Sequence, residues 1–273
     1  MMRSLWTAAS GMIAQQNNVD TIANNLSNVN TIGYKTETAE FKSLLYQTIQ
    51  SKTTSANGEN KPISAQVGLG VRNSSITSHF TQGAPQATDS TYDFAVIGEG
   101  FFGVRNLDGT LSYTRAGHFT MAVADAEGSH MLATSEGLPI LDSNGEPIIF
   151  EPDVLVSELT LDGDGEFCFT AEDGNLEKLG VKIGMFQFSN PSGLVKTSNS
   201  LYIESEASGI AMNEEENDGL TKSVLKQGYL EMSNVQVADE MVNLITAQRA
   251  YELNSKAITT SDEMLQTANN LKK

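Results

Sequence analysis

The sequence predicts an α+β protein in which paired, coiled-coil-like N- and C-terminal heptad helices flank a central antiparallel β-domain. Apolar residues recur every seven positions near both ends, a spacing that keeps one face of a helix toward a partner helix. The middle instead alternates apolar and polar residues between glycine-rich turns. With 273 residues, 39% of them hydrophobic, the chain can form one large domain or two modest ones.

The N-terminal helix is predicted to begin near Ser4, a suitable N-cap, and to end near Asn30, before Gly33. Its other faces are rich in asparagine, a mediocre helix former, so we expect its helical state to depend on packing. The apolar positions that we predict to pack subunits together are Leu5, Met12, Val19, Ile22, Leu26 and Val29.

The C-terminal helix carries a second heptad, in which Ala247 and Ser261 alternate with larger apolar residues. A helix buried on one face of its own domain also places apolar residues three and four apart. Two narrow apolar faces at opposite ends of one chain favour instead a protein that joins neighbouring copies. The positions that we predict at subunit contacts are Leu244, Tyr251, Ile258 and Leu265.

Between the helices the sequence predicts two arms and a β-rich domain. Residues 1–33 and 234–273 would form the helical domain, 34–70 and 219–233 the connecting arms, and 71–218 the β-domain. Residues 34–50 fit either a short helix or an extended arm, and 51–66 have the composition of a flexible linker. Asp108-Gly109 is a strong hairpin signal, and similar turns about every ten residues predict a sandwich or open barrel.

The net charge of −17 is concentrated in the middle of the chain. Residues 125–219 contain 20 acidic and 3 basic residues, whereas the rest of the chain is balanced. This acidity argues against nucleic-acid binding. It fits either a solvated surface or a like-charged outer face of a polymer, and the run Glu214–Asp218 is predicted to face outward.

No group of residues indicates catalysis, a cofactor or a metal. Gly98–Gly103 match a dinucleotide fingerprint, but a hairpin follows where that fingerprint needs a helix. The acidic turn Asp162–Glu166 is followed by Phe167 where a calcium loop needs glycine. A single cysteine, Cys168, excludes a disulfide framework. We therefore expect no enzyme, no small-molecule substrate, no membrane span and no cleaved secretory signal.

The segment from Ile22 to Lys35 resembles the N-terminal signature of bacterial flagellar rod and hook proteins, roughly A-N-N-(apolar)-(A/S)-N-x-x-T-x-G-(aromatic)-K. Gln248–Lys256 is similar to the closing helix of that family, and Gly98–Phe102 and Tyr113–Arg115 match its middle. The residues that carry the N-terminal motif are Asn24, Asn25, Asn28, Thr31, Gly33, Tyr34 and Lys35.

Within the family the likeness is greatest to distal rod members, at Ser4–Met12, Leu44–Thr48 and Val67–Val71. The resemblance implies a structural subunit of the basal-body rod that polymerises into a hollow drive shaft and transmits torque to the hook. A proximal rod or hook protein is the alternative. The terminal helices would form an inner tube, the acidic β-domain an outer layer, and residues 51–66 would order against neighbours.

The resemblance also implies partners and a location. The partners would be further copies of the chain, other rod proteins, the hook protein, the L/P ring bushing and the flagellar type III export apparatus. The location would be the periplasm-spanning rod of the basal body, reached without a cleaved signal peptide. Two other classes remain open. A secreted adhesin would lack paired terminal heptads, and a periplasmic hydrolase would need convergent titratable groups.

Overall fold

The chain forms two compact units. One comprises Met1–Ser27, Glu37–Ser78 and Gln236–Lys273, and the other Asn28–Thr36 and His79–Val235. We call the first the helical unit and the second the β unit. The computed structural model describes residues 2–50, 65–124, 128–150, 159–162, 165–170, 176–217 and 219–271. The helical unit takes in most of the predicted first arm, and the predicted division into inner tube, arms and outer domain stays a prediction.

The helical unit pairs the two ends of the chain. Helix α1 (Met2–Ser27) packs against α2 (Val237–Asn270), and α1 also packs against a two-stranded ribbon. Neither helix is apolar enough over a sufficient length to cross a membrane. The antiparallel ribbons are β1 (Glu37–Ser43) with β4 (Val71–Ser78), and β2 (Tyr46–Gln50) with β3 (Ala65–Gly68).

Residues 37–50 are therefore extended, which decides between the two structures predicted for that segment. The pattern of β1 explains this, because its threonine and phenylalanine suit a strand better than a helix. Most of the predicted linker, residues 51–64, lies outside the described residues. Ala65 and Gln66, its last two residues, begin β3.

The β unit is built from short antiparallel strands. Its largest sheet has the order β16-β17-β8-β7-β15-β18, and smaller sheets are β11-β10-β9, β12-β13-β14, β19-β6 and β20-β5 in the ranges that follow. These strands are β5 (Pro85–Ala87), β6 (Phe94–Ile97), β7 (Phe101–Arg105), β8 (Leu111–Thr114), β9 (Phe119–Val123), β10 (His130–Thr134), β11 (Ile149–Phe150), β12 (Thr160–Leu161), β13 (Glu166–Thr170), β14 (Leu176–Lys182), β15 (Met185–Gln187), β16 (Val195–Lys196), β17 (Leu201–Ile203), β18 (Met212–Asn213), β19 (Val224–Gln227) and β20 (Tyr229–Glu231).

The predicted hairpin joins β7 to β8. Gly109 has φ +76°, and its N–H donates to the carbonyl of Asn106 at 2.9 Å, so the turn uses a conformation that glycine adopts without strain. Gly98–Gly103 lead into β7 and continue along it. The dinucleotide-like match is therefore part of a strand, as predicted.

Two apolar cores lie on opposite faces of β7. Neighbouring strand residues point to opposite faces, and Phe101 and Phe102 are both fully buried. Phe102 belongs to the larger core, with Phe119 at a ring-centroid distance of 5.0 Å. Phe101 belongs to a smaller aromatic core with Phe188 at 5.5 Å. The sheet thus separates two packed layers, which agrees with the fold class predicted from the sequence.

Tyr113, in the smaller aromatic core, should make the folded protein less stable at high pH. Burial, with a contribution from Glu204, raises the pKa of Tyr113 to about 12. A phenol whose pKa rises on folding contributes stability that is complete below its unfolded pKa near 10 and is lost as the pH rises through about 12. We expect this loss to reach roughly 3 kcal/mol.

The measurement is urea unfolding of wild type and Tyr113→Phe at pH 9 and pH 12. The phenylalanine variant lacks the titrating group, so its free energy of unfolding should fall less over this interval. All other titrating groups are common to both proteins. Equal losses of stability in the two proteins would contradict the assignment.

Candidate assembly site on the paired terminal helices

Helices α1 and α2 meet along small and polar residues spaced at seven. Ser4 Oγ lies 3.4 Å from Ser261 Oγ at one end of the contact. At the other end, Asn25 Nδ2 donates to Glu240 Oε2 at 3.2 Å. The two pairs share one property, since their residue numbers add to 265 in each case. The helices are therefore antiparallel and in heptad register.

The centre of the contact follows the same register. A methyl group at Gly11 would lie 2.9 Å from Nδ2 of Asn254, and these numbers also add to 265. Asn18 and Ala247 have the same sum of residue numbers and therefore lie opposite each other, and both residues line one groove. We call these four residue pairs the polar seam. Small side chains along it allow a close approach of the two helices, because interaxial distance depends on side-chain size at the contact.

The large apolar residues predicted to pack subunits, apart from Val29, flank the polar seam. Ile22 is the one among them that is buried, at 5% exposure. Tyr251 is 41% exposed, and Val29 is half-buried in the β unit. The chain does not bury their apolar surface fully, and their role between subunits stays a prediction. The remaining members, all half-buried, are Leu5, Met12, Val19, Leu26, Leu244, Ile258 and Leu265.

Further exposed apolar side chains widen this surface, and the sequence analysis missed them. Trp6 and Ile13 are 74% and 62% exposed, and each follows a predicted packing residue by one position. The sequence signal was their own spacing of seven, which Asp20 interrupts. On α2, Val242 and Leu253 are similarly exposed, at 63% and 69%. Exposed apolar surface on this scale marks an interaction site.

The first two motif residues join α1 to strand β1. Asn25 is buried, its Oδ1 accepts the backbone N–H of Glu37 at 2.9 Å, and its Nδ2 donates to the carbonyl of Glu37 at 2.8 Å. One amide side chain thus pairs with both backbone groups of the first residue of β1. Asn24 Nδ2 donates to the Glu37 carboxylate at 3.2 Å. An aspartate at position 25 would lose the two donor contacts of the amide.

The remaining motif residues form a tight turn in the β unit. Thr31 Oγ1 donates to Asn28 Oδ1 at 3.0 Å, and Thr31 N donates to the carbonyl of Asn28 at 3.1 Å. Gly33 has φ +68°, and a Cβ there would lie 2.7 Å from the backbone at Arg115. Glycine is therefore required at position 33 for both conformation and space. Tyr34 is buried, beneath the ammonium group of Lys196 at 4.5 Å.

Lys35, the last motif residue, is fully buried in an ionic cluster. Its Nζ lies 2.7 Å from Glu231 Oε1 and donates to the carbonyl of Thr81 at 2.8 Å. Arg115 Nη1 lies 3.4 Å from Glu231 Oε2, and Gly83 N donates to Glu231 Oε1 at 2.8 Å. One buried carboxylate is thus the shared counter-ion of two buried cations.

The electrostatics of this ionic cluster are dominated by burial. Burial lowers the pKa of Lys35 even though Glu231 acts in the opposite direction, and it lowers the pKa of Arg115 in the same way. Lys35 and Arg115 lie in the segments that carry the family resemblance, whereas Glu231 lies in none of them. Its only sequence signal is a lone charge in the run Tyr229–Met232, which precedes the last helix.

The described residues hold no group of three or more histidine, cysteine, aspartate and glutamate side chains placed to bind a metal ion. The acidic turn at 162–166 is only partly described, because residues 163–164 lie outside the described part. Cys168 is buried in β13 and free. The features that remain for function are the paired helices, their exposed apolar faces and the motif turn.

Three protein-family models match successive parts of the chain. Residues 5–35 match the model described as flagella basal body rod protein. Residues 95–168 match the flagellar hook protein FlgE/F/G D1 domain, and residues 226–271 match the flagellar basal body rod FlgEFG protein C-terminal model. The two outer matches contain the motif turn, most of both helices, and Glu231.

Curated relatives match over the whole chain. The flagellar basal-body rod protein FlgG of Borreliella burgdorferi is 44% identical over 278 residues, covering 100% of both chains. FlgG of Buchnera aphidicola from Acyrthosiphon pisum is 41% identical, covering 99% of this chain and 100% of the relative. FlgG of Bacillus subtilis is 38% identical, covering 100% of both.

Proposed function

The chain belongs to the FlgG family of flagellar basal-body rod proteins, and we propose that it is a subunit of the distal rod. In this proposal many copies polymerise into a hollow shaft that transmits torque to the hook. The protein is structural and performs no catalysis. The observation that carries the proposal is the pairing of the two chain ends along a polar seam, with apolar side chains left on its flanks.

The polar seam supports polymerisation for a physical reason. Helices that pair within one chain usually bury their largest apolar residues at the contact. Here Ala247 and Ser261 are buried, whereas Met241 and Met264 on the same helix are 52% and 51% exposed. Exposed apolar surface is stabilised when it meets a second apolar surface. A further copy, which carries the same flanks, offers that surface.

The partners follow from the family and from this surface. The first partner is the chain itself. We propose that the ends of the shaft contact other rod proteins and the hook protein, that the β unit faces the L/P ring, and that the flagellar type III apparatus exports the chain. These assignments rest on membership of a basal-body rod family.

Electron microscopy of the purified full-length chain tests polymerisation. We expect concentrated protein to form straight fibres or tubes in negative stain and dilute protein to remain monomeric. Sedimentation of the same samples should give a sharp concentration threshold, as expected for a cooperative polymer. Monomers or amorphous aggregates at every concentration and salt level would contradict the proposal.

A further inference from the structure

Glu240, in the helical unit, has one carboxylate oxygen that is bound within the chain and one that is accessible to solvent. Glu240 is 8% exposed, and Asn25 donates to its Oε2. Within the described part of the chain no donor reaches Oε1, which is accessible to solvent, and no cation forms an ion pair with Glu240. Its place in the first turn of α2 favours a negative charge but leaves this oxygen open. An accessible carboxylate oxygen of this kind can accept a charge-assisted hydrogen bond from another molecule.

Glu240 faces a groove between α1, α2 and β1. The groove has a volume of about 360 Å³, and Gln15, Asn18, Asn243 and Glu37 line it with Glu240. Two acidic and three amide residues therefore share the groove with an apolar wall of Ile22, Ala39, Phe41, Ala247 and Ala250. Such a lining suits a side chain with several N–H donors and a positive charge, which an arginine or a lysine supplies.

Among its described residues, the same unit carries cations that form no ion pair. Arg249 and Lys256 are exposed on α2 and lie seven residues apart, so they share one face of the helix. Neither forms an ion pair within the described residues, and the same holds for Arg3, Lys42 and Arg72. The described part of every copy therefore combines a groove that contains two acidic residues with cations on a flanking helix that form no ion pair.

We propose that this groove binds an arginine or lysine side chain of a second copy of the chain, with Arg249 and Lys256 as the candidate donors. The inference rests on the proposed polymer and specifies one of its contacts. A charge-assisted pair in a partly dry groove also fixes register between copies. The hydrophobic attraction between the apolar flanks of the helices, by contrast, is non-directional.

The first test compares Glu240→Gln with Glu263→Gln. Glutamine keeps the shape of residue 240 and an oxygen for Asn25, so the monomer should melt as wild type does. The threshold concentration for fibres should rise at least about tenfold, and its salt dependence should weaken. Glu263 is exposed on the same helix, so its variant should assemble like wild type.

Charge exchange identifies the donor and keeps the test decisive if Glu240→Gln destabilises the monomer. Glu240→Arg alone should abolish fibres, and combining it with Arg249→Glu or Lys256→Glu should restore them in one of the two cases. If Glu240 had a purely structural role, a second substitution at an exposed and distant residue would not restore the fibres.

Two outcomes would overturn the inference. Wild-type fibres with an unchanged threshold for Glu240→Gln, or no rescue by either exchange, would overturn the groove contact and leave the proposed polymer intact. A wild-type chain that forms no fibres would overturn the proposed function and the contact together.

Discussion

Glu231→Ala is expected to remove a large share of the stability of the β unit. The substitution leaves the buried ammonium of Lys35 and the buried guanidinium of Arg115 without their shared counter-ion. Breaking a buried ion pair from one side costs about 3–5 kcal/mol, a large share of the roughly 5–15 kcal/mol that stabilises a typical domain. The loss should be seen as a lower midpoint in urea unfolding followed by circular dichroism.

The control for this prediction is Glu206→Ala. Glu206 is an exposed carboxylate of the same unit, so its removal should change the free energy of unfolding by no more than about 0.5 kcal/mol. Replacing Lys35, Arg115 and Glu231 together by apolar residues should cost less than Glu231→Ala alone, because no charge is then left buried. A Glu231→Ala protein within about 1 kcal/mol of wild type would show that water reaches the cluster.

Ile258→Asp is expected to abolish polymerisation while the single chain still folds. Ile258 is half-buried beside the polar seam, so the monomer tolerates a polar residue there better than an assembled interface would. An unpaired carboxylate buried between copies costs on the order of several kcal/mol, and the cost recurs at every subunit. Sedimentation should find no fibres at concentrations where wild type assembles.

The matched control is Thr259→Asp, which adds the same charge one position further along α2. Thr259 is exposed, and its hydroxyl donates to the carbonyl of Lys256 in its own helix. This variant should form fibres near the wild-type threshold. Fibres of normal yield from Ile258→Asp would show that position 258 faces solvent in the polymer.

Much of the fold follows from local sequence patterns. The alternation of apolar residues and the Asp108-Gly109 turn predict β7 and β8, because strand and turn preferences act over a few residues. The heptads predict both helices, although α1 ends at Ser27, before the predicted Asn30, because the motif turn begins there. Periodicity reports which residues share a face but not which face meets the partner.

That limit explains what the sequence analysis missed at the site. Ranking by hydrophobicity passed over Gly11 on α1. Ala247 and Ser261 were named in the C-terminal heptad and Asn25 in the family motif, but not as contacts between α1 and α2. These residues also recur at seven, one position before the large residues on α1. The ionic cluster could not be predicted from the sequence for another reason. Glu231 lies 196 positions from Lys35, and no local pattern connects them.

The composition of the acidic middle of the chain suggests that its carboxylates face solvent, but not all of them do. The prediction that Glu214 faces outward is wrong, because its carboxylate is buried and accepts from Gln187 Nε2 at 2.8 Å and Ser223 N at 2.7 Å. Glu215 forms an ion pair with Lys182 at 2.6 Å, and Asp218 lies outside the described residues. Internal hydrogen bonds thus account for part of the acidic run.

The most direct test of the account is a helical reconstruction of the assembled chain by electron cryomicroscopy. We expect Ser4 still to contact Ser261 within each copy, and Asn25 still to contact Glu240. We also expect the flanking residues, such as Trp6 and Leu253, to be buried against other copies in a hollow inner layer. Fibres in which these apolar side chains face solvent, or in which the β units make the inner layer, would contradict the account.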